Sequence, residues 1–582
     1  MKKLRHKIWR LTKSFCAILG GIVLIGGIGA TVVGLYNKDK IYIPDNSALM
    51  IDFSHHIGET QDESLFAEFS DEPSIKLSQL IQSIELAAHD EHIKALVARI
   101  DTTDMELAQV QDVARAVAYF KQSGKKTYVF SQGFGPMGQG NREYYLATFF
   151  DKIYMQPHTT IGLTGIALEV PFVRTLLDKF GIEPEFYARY EYKTAMMSLT
   201  DKQMSSAYRE DMLRLARGLT DVLKADIEHN RGIKNIDDII NKAPISAEQG
   251  LQKGLIDGIM YLPELEKSLE DEEIENYIAV EDYAKAIKTY DGDIPVIAYL
   301  TLNGVIDKGE NSNELDGEFV IGSQSVAADI AEISEIPNLK AVIVRIDSPG
   351  GDYNASDEIY YALQNLKQTK NIPIVVSMSG YAASGGYFVA LAGDKIIAEP
   401  TTITGSIGVL GGKVSLQKMW QKIGINWAEI KIGQNADILS MNKPFTSEEK
   451  RLFNASLDEV YADFTQKVAE NRPLKEKIDI VARGRVWLGW QALELGLIDE
   501  LGGYNEALET AKKLAELTEN DKFTLAEYPR AKSFSEKISA LLMSGNVQSR
   551  KMFMHSGVDI RYLKLFKQLQ YDTVLAPFEI KM

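Results

Sequence analysis

Ser384 ends an apolar run and sits in the string Ala382-Ala383-Ser384-Gly385-Gly386-Tyr387. Small residues around a serine let a substrate backbone approach. They also let a helix begin just after it, aiming N–H groups at an anion. The same string would serve equally as a tight turn that packs a helix on a strand. A second glycine cluster, Asp347-Ser348-Pro349-Gly350-Gly351, follows the apolar stretch 341–346. Two glycines there can turn backbone N–H groups toward a neighbouring strand end, as an oxyanion hole requires. Together the two strings point to acyl transfer at a serine.

Such a serine needs a base. The eight histidines leave the span between His229 and His555 empty, so none lies near Ser384 in sequence. His158 could reach across from the N-terminal half, but it has no evident acidic group to orient it. A lysine can serve instead when burial removes water from its charged form and lowers its pKa. Lys193, in Tyr190-Glu191-Tyr192-Lys193-Thr194-Ala195-Met196-Met197, has an aromatic and apolar setting. The competing reading is a surface lysine paired with Glu191.

The elements that must position these groups come from a duplication. Residues 93–101 match 339–347 at an offset of 246, and 151–157 match 394–400 at 243. Lys179-Phe180-Gly181-Ile182 matches Lys422-Ile423-Gly424-Ile425 at 243, and 254–257 match 496–499 at 242. Offsets this steady describe one domain present twice, not a solenoid of short units. Within each copy, short apolar runs such as 341–346 and 374–377 alternate with amphipathic stretches such as 355–366, which predicts layered α/β structure with largely parallel strands. The predicted organisation is a basic N-terminus and membrane anchor (1–36), a first repeat domain (37–263), an acidic connector (264–292), a second repeat domain (293–510) and a C-terminal extension (511–582).

The copies diverge where chemistry is expected. Ser384 falls on Asn141, and the Gly350-Gly351 string falls on Asp101-Thr102-Thr103-Asp104-Met105. Conversely, Lys193 falls on Ala436. Each copy keeps what the other has lost.

The chain has 582 residues and a formal net charge of −17. Residues 1–36 hold six cations and no acid, so the remainder is more acidic still. That sign argues against a nucleic-acid partner. The single cysteine, Cys16, excludes internal disulfides and Cys-based zinc sites. Cys16 to Tyr36 is an uncharged stretch of twenty-one residues, long enough as a helix to cross a bilayer. Its basic flank predicts that the bulk of the chain lies on the outer face. A cleaved signal peptide is the rival reading, with an unusually long apolar region and a poor cleavage site at Ile28-Gly29-Ala30.

With Thr404-Gly405-Ser406-Ile407-Gly408 and Tyr192-Lys193-Thr194-Ala195 added to the two glycine strings, the chain resembles the signal peptide peptidase A (protease IV) family in its long, duplicated form. The resemblance covers about residues 40–510 and the anchor. It implies tandem crotonase/Clp-protease-like domains behind an N-terminal transmembrane helix. It implies Ser384 as nucleophile, Lys193 as general base, Gly350, Gly351 and Gly385 as oxyanion-hole contributors, and Ser406 as the hydroxyl that orients the lysine. It further implies a homotetramer in the bacterial inner membrane, body outside, that degrades signal-peptide remnants and other apolar peptides without cofactor or metal. A crotonase-like acyl-thioester enzyme and a non-catalytic membrane scaffold are the alternative classes.

Overall fold

The computed structural model describes residues 42–60, 73–135, 138–286, 294–313, 319–474, 477–518, 521–530 and 573–575. The expected membrane span and most of 511–582 lie outside them. Among the described residues no helix is long and apolar enough to cross a membrane.

Two parallel sheets repeat one topology. In the first, the spatial order is Gly258–Ile259, Lys152–Met155, Lys126–Ser131, Ile93–Arg99, Ser47–Asp52 and Asn276–Ala279. In the second, the corresponding order is Glu500–Leu501, Lys395–Ala398, Ile374–Ala383, Leu339–Ser348, Val296–Asn303 and Thr524–Tyr528. The short Ile403–Gly405 and Val486–Leu488 extend the C-terminal half of Ile374–Ala383. Near-continuous apolar runs suit strands covered on both faces. Ile343 and Val375 pack toward the N-terminal copy, while Val342, Val344, Ile374 and Val376 face the second copy's own helices.

The N-terminal copy's helices Leu77–His89 and Leu107–Gln122 share one core with a face of each sheet. The copies are therefore stacked through this helical layer. A buried ion cluster crosses it: the Arg345 guanidinium donates to Glu59 (2.9 and 3.1 Å) and lies 2.9 Å from Asp112. Burial drives the Glu59 carboxyl up, and the Arg345 charge and hydrogen bonds more than reverse this, leaving it below the usual range.

Two expected boundaries move. The acidic stretch 264–292 is not merely a connector. Helix Leu262–Glu270 turns Leu265 and Leu269 inward while its acids face solvent, and Asn276–Ala279 becomes an edge strand of the first sheet. The expected extension from 511 likewise begins inside the second copy. Helix Tyr504–Leu514 runs through the boundary at 510, and Thr524–Tyr528 pairs with Val296–Asn303. Edge strands need few apolar side chains, so they carry little repeat signal in sequence.

A further strand pair joins the copies. Glu183–Ala188 of the first runs antiparallel to Leu410–Ser415 of the second, from Glu183 opposite Ser415 to Ala188 opposite Leu410. This pairing carries the chain that follows Ala188 into the second copy.

Candidate active site

Ser384 lies where Ile374–Ala383 turns into helix Gly385–Ala390. Its backbone adopts φ 57°, ψ −112°, a conformation that costs a non-glycine residue of order 1–3 kcal/mol and must be imposed by its surroundings. Ser384 N–H donates to Gly405 O (2.8 Å), and Phe388 N–H donates to Ser384 O (2.8 Å), fixing the turn at both ends. Its side chain is fully buried.

Lys193 arrives from the other copy, five residues after the shared strand pair. Its Nζ lies 2.6 Å from Ser384 Oγ, 2.9 Å from Ser406 O and 3.0 Å from Ser406 Oγ. The lysine is buried, and burial alone holds its pKa well below the ordinary value. The reading of Lys193 as a surface partner of Glu191 does not hold. Glu191 instead pairs with Arg483 at 3.0 Å, and the lysine turns inward. Ser406, itself at φ 50°, follows Gly405 at φ 79°; this double left-handed turn presents both Ser406 oxygens to the lysine.

The glycines gather beside the serine. A Cβ on Gly385 would stand 3.1 Å from Gly351 N and 3.3 Å from Gly350 Cα, so the three backbones meet. Gly385 opens its helix, where a backbone N–H has no intrahelical carbonyl to meet. Gly350, at φ 105°, turns its N–H onto Ser348 Oγ (3.2 Å). Gly351 pairs with Ile306 on one side and with Val574, in the strand Thr573–Leu575, on the other. His158 is exposed and is not among the groups bonded to Ser384. Among the described residues no cluster of His, Cys, Asp or Glu is arranged to hold a metal ion.

Sequence reasoning missed the wall behind the lysine. Gly484 has φ 85°, and a Cβ there would collide with the Lys193 backbone. Gly408 packs on the aliphatic stem, its Cβ position 3.4 Å from Lys193 Cδ. The neighbours of Gly484 clamp the same segment: Arg485 stacks 3.8 Å over Tyr192, and Arg483 lies 4.8 Å over Tyr190. The available signal was Arg483-Gly484-Arg485 itself, a cation-flanked glycine in the copy that holds the serine.

A serine on a strained strand-to-helix turn, a buried lysine at its hydroxyl and converging glycines are the kinds of group that a serine hydrolase brings together. The model of peptidase family S49 matches this chain twice, over residues 119–274 and 366–518, and a Clp protease family model matches residues 322–404. The curated "Serine protease SPPA, chloroplastic" of Arabidopsis thaliana is 32% identical over 469 residues, 78% of this chain and 68% of that protein. "Protease 4" of Salmonella typhi is 30% identical over 494 residues, 81% and 78% of the two chains. "Putative signal peptide peptidase SppA" of Enterococcus faecium is 33% identical over 233 residues, 40% and 66% respectively. The chain belongs to peptidase family S49 and is a serine peptidase, with two copies of the family's domain in a Clp-protease-like α/β fold.

Proposed function

We propose that this peptidase works through a Ser384–Lys193 dyad and cuts extended apolar peptides, among them signal-peptide remnants, at a membrane to which residues 16–36 anchor it. The 2.6 Å approach of Lys193 Nζ to Ser384 Oγ, in a buried setting where no carboxylate among the described residues bonds the amine, carries the reading. A neutral amine there has one lone pair and two N–H groups. The lone pair accepts the Ser384 hydroxyl proton, and the N–H groups donate to Ser406 O and Oγ. Ser384 Oγ attacks the scissile carbonyl carbon while the amides of Gly351 and Gly385, with Gly350 shaping the loop, hold the oxyanion. Lys193 returns the proton to the leaving amine. It then activates the water that hydrolyses the acyl-enzyme.

A peptide substrate is favoured by the edge at Gly350–Asp352. That edge already takes an extended segment, Thr573–Leu575, as an antiparallel strand, in the manner of peptide recognition by strand addition. The apolar character of the substrate rests on the family resemblance, the uncharged stretch at 16–36 and the printed name of the Enterococcus faecium relative. Ser384→Ala and Lys193→Ala are each expected to abolish hydrolysis of a fluorogenic apolar peptide and of a synthetic signal peptide, with circular dichroism unchanged. Full activity in Lys193→Ala overturns the dyad. Coenzyme A binding, with no peptide hydrolysis in the wild type, overturns the substrate class.

A further inference from the structure

Ser384 and the glycine loop sit on neighbouring strands that pair out of step just before the site. Ile346 lies opposite Met378, yet Ser348, two residues on, lies opposite Ala382. Ser379, Gly380 and Tyr381 therefore bulge against the single residue Asp347. The Asp347 side chain closes this gap. Its Oδ1 accepts the Tyr381 N–H at 2.9 Å, a bond that a strand carbonyl would make in an unbroken ladder. Asp347 stands three residues before Gly350, and Tyr381 three residues before Ser384. The approach is close: a Cβ on Gly380 would lie 3.3 Å from Asp347 Oδ1 and would collide with Glu106 Oε2.

The first copy carries the same aspartate in a different setting. Asp101 matches Asp347 at the offset of 246, and its Oδ1 accepts the Gln132 N–H at 2.6 Å. Arg99 of the same strand bonds Asp101 at 2.6 Å and compensates its charge. Arg345 matches Arg99 but turns elsewhere, donating to Glu59, Ser377 and Ser379 and lying 2.9 Å from Asp112. Asp347 thus lacks the arginine bond that its counterpart keeps. A neutral group stands in: Gln109 Nε2 lies 3.4 Å from Asp347 Oδ2 and 3.2 Å from Glu59 Oε1, tying the two carboxyls together. The charged groups around Asp347 are Arg345 on its own strand, Glu59 beyond His56–Gly58, Glu106 at the cap of helix Leu107–Gln122 and Asp112 within that helix. Strand Val296–Asn303 adds Tyr299 beside Arg345, and Ile374–Ala383 adds Tyr381. Withdrawal from water and the Glu59 charge push the Asp347 carboxyl up to about 7, against the pull of the Tyr381 N–H and the Arg345 charge.

We propose that Asp347 is a positioning residue of the peptidase: its ionised carboxylate holds the Tyr381 amide and so keeps the strand end that carries Ser384 in place beside the glycine loop. The inference rests on the reading of Ser384 as nucleophile given above. The two strand ends share one packed contact. A Cβ on Gly386 would stand 2.8 Å from Ser348 O, and Gly385 meets Gly350 and Gly351. A shift of Tyr381 against Asp347 therefore moves Ser384 relative to the amides that hold the oxyanion. The ionised form is the working one, because a charged acceptor holds an amide about twice as strongly as a neutral one. Protonation of Asp347 slackens the bond and lowers turnover while both dyad groups stay in the chain.

The test compares the full-length wild type with Asp347→Asn, Asp347→Ala and Asp101→Asn, following hydrolysis of a fluorogenic apolar peptide across pH. In the wild type, kcat is expected to rise through a step near pH 7 in addition to the step that Lys193 gives. Asp347→Asn keeps the acceptor oxygen without the charge, so kcat should fall only about 3-fold at high pH and the step near 7 should vanish. Asp347→Ala should lose about 10²-fold in kcat, with a smaller change in KM. Asp101→Asn should match the wild type in rate and pH profile. Hydrogen exchange on fragments spanning 379–383, read in a Ser384→Ala background, should quicken about 10-fold or more at Tyr381 when Asp347→Ala is added. A folded Asp347→Ala chain with kcat within about 3-fold of wild type, an Asp347→Asn chain that keeps the step near 7, or unchanged exchange at Tyr381 each overturns the proposal. Should Asp347→Ala fail to fold, the pH profile of Asp347→Asn decides alone. The exchange readout involves no hydrolysis, and the dyad is tested by Ser384→Ala and Lys193→Ala, so the two readings fail separately.

Discussion

Arg99 and Arg345 occupy the same place in matching strands of the two copies and do different work. Arg99 keeps a third of its side chain exposed and reaches Asp101 and Asp52 at the rim. Arg345 is buried and holds Glu59 and Asp112 of the other copy. The same divergence runs through the active centre, where the first copy has Asn141 for Ser384 and Thr102-Thr103-Asp104 where the second has its glycine loop. What the first copy lost in chemistry it replaced by becoming a wall: it contributes Lys193, a helical layer and two carboxylates to its neighbour. Duplication freed one copy to become part of the other's pocket.

The largest effect that would test this division comes from giving the second copy the first copy's residue. Ser384→Asn is expected to lower kcat on an apolar peptide by about 10⁴-fold or more, since a dyad fails as a unit. Next, Gly484→Ala should reduce kcat by about 10²-fold, because its Cβ drives into the Lys193 backbone and a shift of about 1 Å suffices for such a loss. An unchanged kcat would mean that the lysine wall yields freely. The two arginines then separate in a denaturation experiment. Arg345→Met leaves two buried carboxylates unpaired and should destabilise by about 3–5 kcal/mol, whereas Arg99→Met should stay within about 1 kcal/mol.

A smaller effect, of opposite sign, is expected at the lysine. Burial depresses the Lys193 pKa in the folded protein, so between that value and the ordinary one the unfolded chain binds one more proton than the native one. Stability therefore rises with pH across this window, and kcat rises with it on the acidic limb as the amine becomes neutral. Lys193→Met, inactive, should be more stable than the wild type at pH 7 by about 0.5–2 kcal/mol and should lose this slope. The smallest effect belongs to Asn141→Ser, which is expected to add no measurable activity to a Ser384→Ala chain, because Ala436 supplies no base. Activity there would show that the first copy had kept more than its fold.

That Ser384 and Lys193 come together was legible because the repeat gave each an internal control; a matched position that changes from lysine to alanine is informative without any structure. The layered α/β fold was legible from the runs 341–346 and 374–377 for the same reason. Gly484 was not, because its function is to have no side chain at one place in space, and that place is defined by a residue 291 positions earlier in the chain. The edge strands Asn276–Ala279 and Thr524–Tyr528 were hidden by their composition. They are only partly covered and carry polar groups such as Asn276, Thr524 and Glu527 that read as linker. Gly350 stood out as an oxyanion donor, yet its N–H turns to Ser348 Oγ, a local hydrogen bond that spacing cannot reveal.

The strand pair Glu183–Ala188 with Leu410–Ser415 has a consequence for how the enzyme comes into being. Synthesis runs from the N-terminus, so Lys193 is made 191 residues before Ser384, and the glycines that pack on Lys193, Gly408 and Gly484, are made later still. Until the strand 410–415 emerges, nothing draws Lys193 out of its own half, and a nascent chain carries no complete site. With the proposed dyad, activity arises only as the second half closes on the first.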